Sequence, residues 1–241
     1  MSMASRPITH VLLLPLFFLG LFSMASATTF FVLQNRCTFN IWPATISGNG
    51  AISNDDGFAL GPGDNIVLEA EPGWSGRIWA RTGCTFDFAG NGHCATGDCG
   101  GNLKCTASGA PPATLAEFTV AAAGQDFYDV SLVDGYNVGL SVRPFDGTGD
   151  CRSPSCAADI NAICPVVGGG GAVVACKSAC LAFHSPEYCC TGNYSNPDTC
   201  GATSYSRMFK NACPKAYSYA YDDKSSLCTC TRPNYYVTFC P

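Results

Sequence analysis

The chain has 241 residues with 17 cysteines, 26 glycines and 15 prolines, and its formal net charge is −5. An acidic chain argues against binding to nucleic acid or to anionic membranes, because both partners need a basic protein face. Cysteine at this density is typical of a disulfide-stapled protein from an oxidising compartment and speaks against a cytosolic one. The length fits one large domain or two modest domains.

The first 27 residues have the pattern of a secretory signal peptide. Arg6 supplies a positive charge, residues 11–22 form an apolar run, and Ala25-Ser26-Ala27 is an A-x-A cleavage site. The run has about 12 residues, whereas a membrane-spanning helix needs about 20. We therefore expect residues 1–27 to be removed, and a secreted, extracellular mature protein of residues 28–241 with no transmembrane segment.

Short apolar stretches alternate with turn residues along the mature chain, which predicts an all-β core. Seven strands are expected, at 29–34, 66–69, 77–81, 114–120, 127–132, 138–142 and 235–239. Turn sequences such as Gly61-Pro62-Gly63-Asp64 and Asp134-Gly135 separate them.

Two cysteine-rich segments interrupt this strand pattern. Residues 83–105 are rich in glycine and cysteine and almost free of large apolar residues, so we expect cross-links to order them. Between 151 and 213 cysteines crowd together, and helical patterns occur at 174–183 and 205–212. We therefore predict a mainly β protein: a sandwich core of residues 28–82, 106–150 and 222–241, a small disulfide loop at 83–105, and a larger subdomain with short helices at 151–221.

Two of the predicted strands carry a carboxylate on the face away from the core. In 115–120 the even-numbered residues are apolar, which places Glu117 on the opposite face. In 127–132 the even-numbered residues are again apolar, which places Asp129 opposite them. Strand parity does not tell whether the two carboxylates share one cleft.

A dense motif of glycine and cysteine lies at 90–105, which reads GNGHCATGDCGGNLKC and matches the spacing G-x-G-x-C-x-T-G-D-C. This motif resembles the signature of the thaumatin-like proteins, the group-five pathogenesis-related family of plants. Similar blocks follow the family order: GRIWARTGC at 76–84, PPATLAEFTV at 111–120, DFYDVSLVDGYNV at 126–138 and YSRMFKNACP at 205–214. The resemblance covers residues 28–241 and implies a thaumatin-like β-sandwich with two disulfide-stapled excursions.

The resemblance also implies a disulfide pattern that the spacing of the cysteines does not determine. The implied pairs are Cys37–Cys240, Cys84–Cys94, Cys99–Cys105, Cys151–Cys230, Cys156–Cys213, Cys164–Cys176, Cys180–Cys189 and Cys190–Cys200. Cys228 is left over, at a position where the family commonly has Phe. We interpret Cys228 as a small buried apolar residue. An exposed redox-active thiol, an intermolecular bridge and mispairing with Cys151 are the alternatives.

An acidic cleft is the functional site that the resemblance implies. The family builds this cleft from one arginine, one glutamate and three aspartates, which match Arg77, Glu117, Asp129, Asp134 and Asp223. The implied protein is a plant defence protein of the apoplast that binds β-1,3-glucan of fungal cell walls and inhibits fungal growth. Crowded carboxylates raise one another's pKa, and a protonated acid beside an ionised one suits glycoside hydrolysis.

Several alternatives for this cleft stay open. In a weak endo-β-1,3-glucanase, Glu117 would be the general acid and Asp129 the nucleophile or base, but the cleft could also bind sugar or a cationic partner without hydrolysis. A different class of function is a protein inhibitor of microbial cell-wall hydrolases such as xylanases. Candidate aromatic residues for stacking on sugars are Phe86, Phe88, Tyr205 and Tyr217.

Other motifs indicate no cofactor and no metal. His93 and His184, the histidines of the mature chain, have no spacing of a catalytic triad or a metal site, and the glycine run at 168–171 lacks the context of a phosphate-binding loop. No EF-hand-like calcium loop occurs. Asn193-Tyr194-Ser195 is an N-glycosylation sequon, which predicts an exposed, glycosylated loop. We expect a monomer.

Overall fold

The computed structural model describes residues 28–54, 57–165 and 174–241, so the predicted signal peptide and the glycine run at 168–171 lie outside the described residues. The strands are β1 Thr29–Asn35, β2 Trp42–Asn49, β3 Asn65–Ala70, β4 Ser75–Arg81, β5 Thr85–Phe86, β6 Gly92–His93, β7 Leu115–Thr119, β8 Gln125–Ser131, β9 Leu140–Phe145, β10 Ser155–Cys156, β11 Cys228–Thr231 and β12 Asn234–Phe239. The helices are α1 Ala179–Phe183, α2 Pro186–Cys189, α3 Ser204–Ala212 and α4 Asp223–Ser226, and short 3-10 turns lie at Asn161–Ile163 and Gly192–Tyr194.

Two five-stranded sheets form the sandwich. The first sheet has the order β10-β9-β12-β1-β3, and the second has the order β11-β8-β7-β4-β2. Each of the seven predicted strands corresponds to a strand of these sheets. Three strands of these sheets, β2, β10 and β11, were not predicted from the sequence. In β2, Pro43 and Gly48 interrupt the apolar pattern. An edge strand tolerates such residues, and β2 lies at the edge of its sheet.

Large aromatic side chains fill the space between the two sheets. The ring of Phe31 stacks on that of Tyr235 with centroids 5.3 Å apart, and it meets Phe118 edge to face at 4.8 Å. Trp74 and Tyr128 complete this aromatic group, and all five residues are almost fully buried. Since edge and stacked ring contacts add to the free energy gained from burial, this group anchors the two sheets to each other.

The disulfides join the same pairs that the resemblance implies. They are Cys37–Cys240, Cys84–Cys94, Cys99–Cys105, Cys151–Cys230, Cys156–Cys213, Cys164–Cys176, Cys180–Cys189 and Cys190–Cys200. The first of them ties β1 to the end of β12 across 203 residues. A loop of that length corresponds to about 5 kcal/mol in the chain-entropy model of disulfide stabilisation.

Cys228 is a free thiol inside the core. It lies on β11, is 2% exposed, and its Sγ contacts the carbonyl of Ser226 at 3.5 Å. Burial raises the pKa of the thiol to about 11, so it stays protonated at neutral pH. Cys228 therefore acts as a small apolar residue, and the alternatives of an exposed thiol and of mispairing with Cys151 do not agree with this burial.

The small disulfide loop does not depend on cross-links alone, in contrast to the expectation from its composition. The guanidinium of Arg81 is fully buried and donates hydrogen bonds to the carbonyls of Asn102 and Leu103, both at 2.9 Å. Burial lowers the pKa of Arg81 to about 10. The carboxylate of Asp98 accepts hydrogen bonds from three backbone N–H groups of the same loop. Buried polar groups hold the loop together with its two disulfides.

The larger subdomain consists of short helices between disulfides. The helix predicted at 174–183 begins later, at Ala179, with Ser178 as its N-cap residue. The helix predicted at 205–212 is α3, and Thr203 and Ser206 form a capping box at its start. Within the described parts of the chain, no helix is long and apolar enough to cross a bilayer.

Candidate active site

Three neighbouring strands of the second sheet place an arginine and two carboxylates in one row. In the register of β4, β7 and β8, Arg77 lies opposite Glu117, and Glu117 lies opposite Asp129. The outward orientation expected from strand parity is confirmed. The register adds what parity left open, because directly opposed residues on one face of a sheet lie with their Cβ atoms about 5 Å apart. The two carboxyl groups therefore share one site.

The small disulfide loop covers only part of this outer face. Trp79 and Leu115 lie on the same face as the row, yet both are buried against a second apolar cluster that includes Cys99. The indole Nε1 of Trp79 donates to the carbonyl of Gly97 at 2.8 Å. The small disulfide loop does not extend over Arg77 and Glu117, whose side chains are 44% and 31% exposed. The loop thus forms one boundary of an open cleft.

The larger subdomain contributes the opposite wall of the cleft through Tyr217. The Tyr217 backbone pairs with the end of β8: its N–H donates to the carbonyl of Val130 at 2.8 Å, and its carbonyl accepts from Leu132 at 2.9 Å. Its hydroxyl donates to Oδ1 of Asp223 at 2.8 Å. Tyr217 therefore fixes Asp223, at the start of α4, beside the carboxylate row.

Lys210 on α3 holds this wall in place. Its Nζ lies 2.8 Å from Oδ2 of Asp222 and donates to the carbonyl of Ala216 at 2.9 Å and to the hydroxyl of Ser226 at 2.8 Å. Ala216 precedes Tyr217, Asp222 precedes α4, and Ser226 is the last residue of α4. A single half-buried ammonium group thus ties the helix of the subdomain to the segment that carries Asp223.

Arg77 neutralises only part of the negative charge in the cleft. Its Nε lies 2.8 Å from Oε1 of Glu117, and its Nη1 lies 4.0 Å from Oδ2 of Asp134. The charge of Arg77 also lowers the pKa of Asp129, but burial and the neighbouring carboxylates outweigh this effect. The five predicted cleft residues therefore lie in one charged cluster: Arg77 contacts Glu117 and Asp134, and Asp223 acts on Asp129 through its charge.

Asp129 is the carboxyl group with the most perturbed environment in the cleft. Burial and the negative charges of Glu117 and Asp223 raise its pKa from 3.8 to about 8. Its Oδ1 is shielded from solvent and has no hydrogen-bond partner among the described residues. A buried carboxyl group close to other carboxylates takes up a proton instead of ionising. At neutral pH the row therefore holds a protonated Asp129 beside a Glu117 that is ion-paired with arginine.

Two adjoining hollows meet at the row. The larger has a volume of about 510 Å³, and its lining includes Ile46, Phe127 and Leu227. The smaller has a volume of about 230 Å³, and its lining includes Asp134 and Tyr217. Arg77, Glu117 and Asp129 line both of them. The row thus lies in the middle of a continuous groove, in which an extended ligand can occupy both sides of the carboxyl pair.

The aromatic residues singled out from the sequence are scattered. Tyr217 is buried and lines the smaller hollow. Phe86 lies under the guanidinium of Arg81, Phe88 is fully exposed in the small loop, and Tyr205 packs against other rings of the larger subdomain. The exposed Phe127 inside the groove was missed. The alternation of side chains along the strand predicts its outward orientation, because Phe127 lies two residues before Asp129 and on the same face.

The remaining candidate residues lie outside the groove. His93 and His184 are exposed, and so is Asn193 of the predicted glycosylation site in the 3-10 turn Gly192–Tyr194. Among the residues that the structure describes, no group of three or more His, Cys, Asp or Glu side chains is arranged to hold a metal ion.

Comparison with known proteins decides the family. A profile described as "Thaumatin family" matches residues 35–241. The chain belongs to the thaumatin family. Pathogenesis-related protein 5 of Arabidopsis thaliana is 54% identical over 243 residues, covering 99% of this chain and all of that protein. Pathogenesis-related thaumatin-like protein 3.5 of Cryptomeria japonica is 52% identical, covering 91% of this chain and 92% of that protein.

Two further similar proteins are informative by name or by fold. A protein of Prunus avium named glucan endo-1,3-beta-glucosidase is 51% identical, covering 86% of this chain and 89% of that protein. The solved structure of a thaumatin-like xylanase inhibitor matches with a TM-score of 0.50 at 24% identity, covering 88% of this chain and 99% of that chain. At this identity the match shows a common fold.

Proposed function

We propose that this protein is a secreted plant defence protein that binds β-1,3-glucan of fungal cell walls in the acidic groove, inhibits fungal growth and hydrolyses the glucan weakly. The observation that carries the proposal is the carboxyl pair of Glu117 and Asp129, opposed across β7 and β8 in the middle of an open groove. The 51% identical relative named glucan endo-1,3-beta-glucosidase supports the same substrate class.

The protonation pattern supports an assignment of roles opposite to the one expected from the sequence. Asp129, with its pKa raised to about 8, carries a proton below that pH and acts as the general acid that protonates the glycosidic oxygen. Glu117, ion-paired with Arg77, supplies the carboxylate that attacks the anomeric carbon or activates water. Arg77 orients Glu117 and contacts Asp134, and the charge of Asp223 helps to keep Asp129 protonated.

The experiment combines pull-down on insoluble β-1,3-glucan with release of reducing ends from soluble β-1,3-glucan. Wild type is compared with Glu117→Gln, Asp129→Asn and the matched control Glu69→Gln, which removes an exposed carboxylate on β3 of the other sheet. Wild type and the control should bind and release equally, and Glu117→Gln should weaken binding. Absence of glucan binding by wild type would overturn the proposal.

The same assay separates the two assignments of the acid. If Asp129 is the acid, Asp129→Asn retains pull-down but loses reducing-end release. Release that persists in Asp129→Asn and disappears in Glu117→Gln would return the acid role to Glu117. Binding by wild type without any release would leave a glucan-binding protein that is not a hydrolase. The alternative function as a xylanase inhibitor predicts inhibition that survives Glu117→Gln, but no residue-level observation favours it.

A further inference from the structure

An exposed aromatic ring lies beside the carboxyl pair in the larger hollow of the groove. The side chain of Phe127 is 45% exposed and lines this hollow together with Glu117 and Asp129. Residues 127 and 129 of β8 lie on the same face of the sheet, about 7 Å apart along the strand. Phe127 therefore presents an apolar surface one step along the groove from the proposed acid.

Residues with hydroxyl side chains flank Phe127 on its two neighbouring strands. The register places Thr119 of β7 and Thr229 of β11 directly opposite Phe127 on its two sides, and Ser75 of β4 lies opposite Thr119. A second row thus runs across the sheet beside the charged row, with one aromatic ring between hydroxyl groups. Exposed large aromatic side chains in such a polar setting are typical of binding sites, because they bury much apolar area at a low entropic cost.

The chemistry of this second row fits a sugar ring better than a charged or purely apolar ligand. A β-glucopyranose ring carries its substituents equatorially, so its axial C–H groups form a flat apolar face, while its rim is made of hydroxyl groups. The face can stack on the ring of Phe127, and the rim can exchange hydrogen bonds with Thr119 and the hydroxyl groups around it.

We propose that Phe127 is the stacking platform for one glucosyl unit of the bound polysaccharide, adjacent to the unit whose glycosidic bond faces Glu117 and Asp129. This inference rests on the proposed function and adds a residue that sets affinity for pyranose rings. Stacking on Phe127 fixes the register of the polymer in the groove. The uncharged ring affects the position of the substrate and not the protonation of the carboxyl pair.

The test measures binding of a linear β-1,3-glucan hexasaccharide by titration calorimetry. Phe127→Ala removes the ring, Phe127→Leu keeps much of the apolar volume without an aromatic face, and Phe127→Tyr keeps the face. Phe88→Ala removes a fully exposed aromatic ring that lines neither hollow and serves as the matched control. We expect the dissociation constant to rise about tenfold in the Ala and Leu variants and to stay near the wild-type value in the Tyr variant and the control.

A second readout excludes a merely structural effect. Phe127→Ala removes a ring that is about half buried, so the denaturation midpoint should fall slightly, as it should in Phe127→Leu to a smaller extent. The pH dependence of stability should stay that of wild type, because no charge changes. If Phe127→Ala bound with wild-type affinity while Glu117→Gln bound more weakly, the stacking role of Phe127 would be refuted. The proposal that the groove binds glucan would still stand. If Phe127→Leu bound with wild-type affinity, the contact would be a general apolar one and not aromatic stacking, and the inference would be refuted. No binding by wild type would overturn both proposals.

Discussion

Replacing Asp129 with Asn should stabilise the protein, and the gain should grow with pH. The native structure raises the pKa of Asp129 from 3.8 to about 8, mainly through burial. Between these two pH values the native state therefore holds a proton that the unfolded chain has released. Wild type loses stability as the pH rises through this window, whereas an uncharged Asn does not titrate. Glu117 and Asp223 strengthen the effect, because their charges oppose the ionisation of Asp129.

The magnitude follows from the same pKa. Each pH unit between the unfolded and native values corresponds to about 1.4 kcal/mol of the free energy of unfolding. The expected advantage of Asp129→Asn over wild type is therefore about 2 kcal/mol at pH 5 and about 5 kcal/mol at pH 8. Below pH 4 the side chain is protonated in both states of wild type, and this advantage disappears.

Guanidinium denaturation at pH 4, 5, 6, 7 and 8, with the disulfides oxidised, measures this difference. Asp134→Asn is the matched control, because it removes a carboxylate of the same groove that is 37% exposed. At pH 8 the gain in stability of Asp129→Asn should exceed that of this control, because Asp129 is buried more deeply than Asp134. If the difference between Asp129→Asn and wild type stayed constant from pH 4 to 8, Asp129 would be ionised throughout, and the reasoning about a protonated acid would be refuted.

Three further perturbations have defined outcomes. Lys210→Met should weaken glucan binding by roughly tenfold and lower the pKa of Asp129, because the segment that carries Asp223 is no longer held in place. Replacing the exposed Lys215 with Met should change neither property. Equal effects in both variants would contradict a positioning role of Lys210. Arg81→Met should lower the free energy of unfolding by about 3 kcal/mol, measured by denaturation, since buried carbonyls lose their donor; an unchanged midpoint would refute this. Cys228 should react with a thiol reagent only after unfolding, because the native thiol is buried with a raised pKa; rapid reaction of the native protein would contradict its burial.

Much of the β-sandwich could be predicted because its signals are local. Alternation with a period of two residues places each side chain of a strand on one of two faces, so the outward orientation of Glu117 and Asp129 follows from the sequence. The same alternation places Phe127 on the outward face with Asp129, but only the structure shows that its ring lines the groove. The pattern fails where a strand lies at an edge and tolerates breaking residues, as in β2 with Pro43 and Gly48.

The sequence by itself determined the two faces of the strands and, through its motifs, the resemblance to a disulfide-stapled family. Only the tertiary structure decided that Arg77, Glu117 and Asp129 form one row, since register depends on the pairing of strands that are distant along the chain. It also decided which carboxyl group holds the proton. Protonation depends on burial and on neighbouring charges. Asp129 is buried beside Glu117 of the adjacent strand and near Asp223, which Tyr217 of the larger subdomain holds in place.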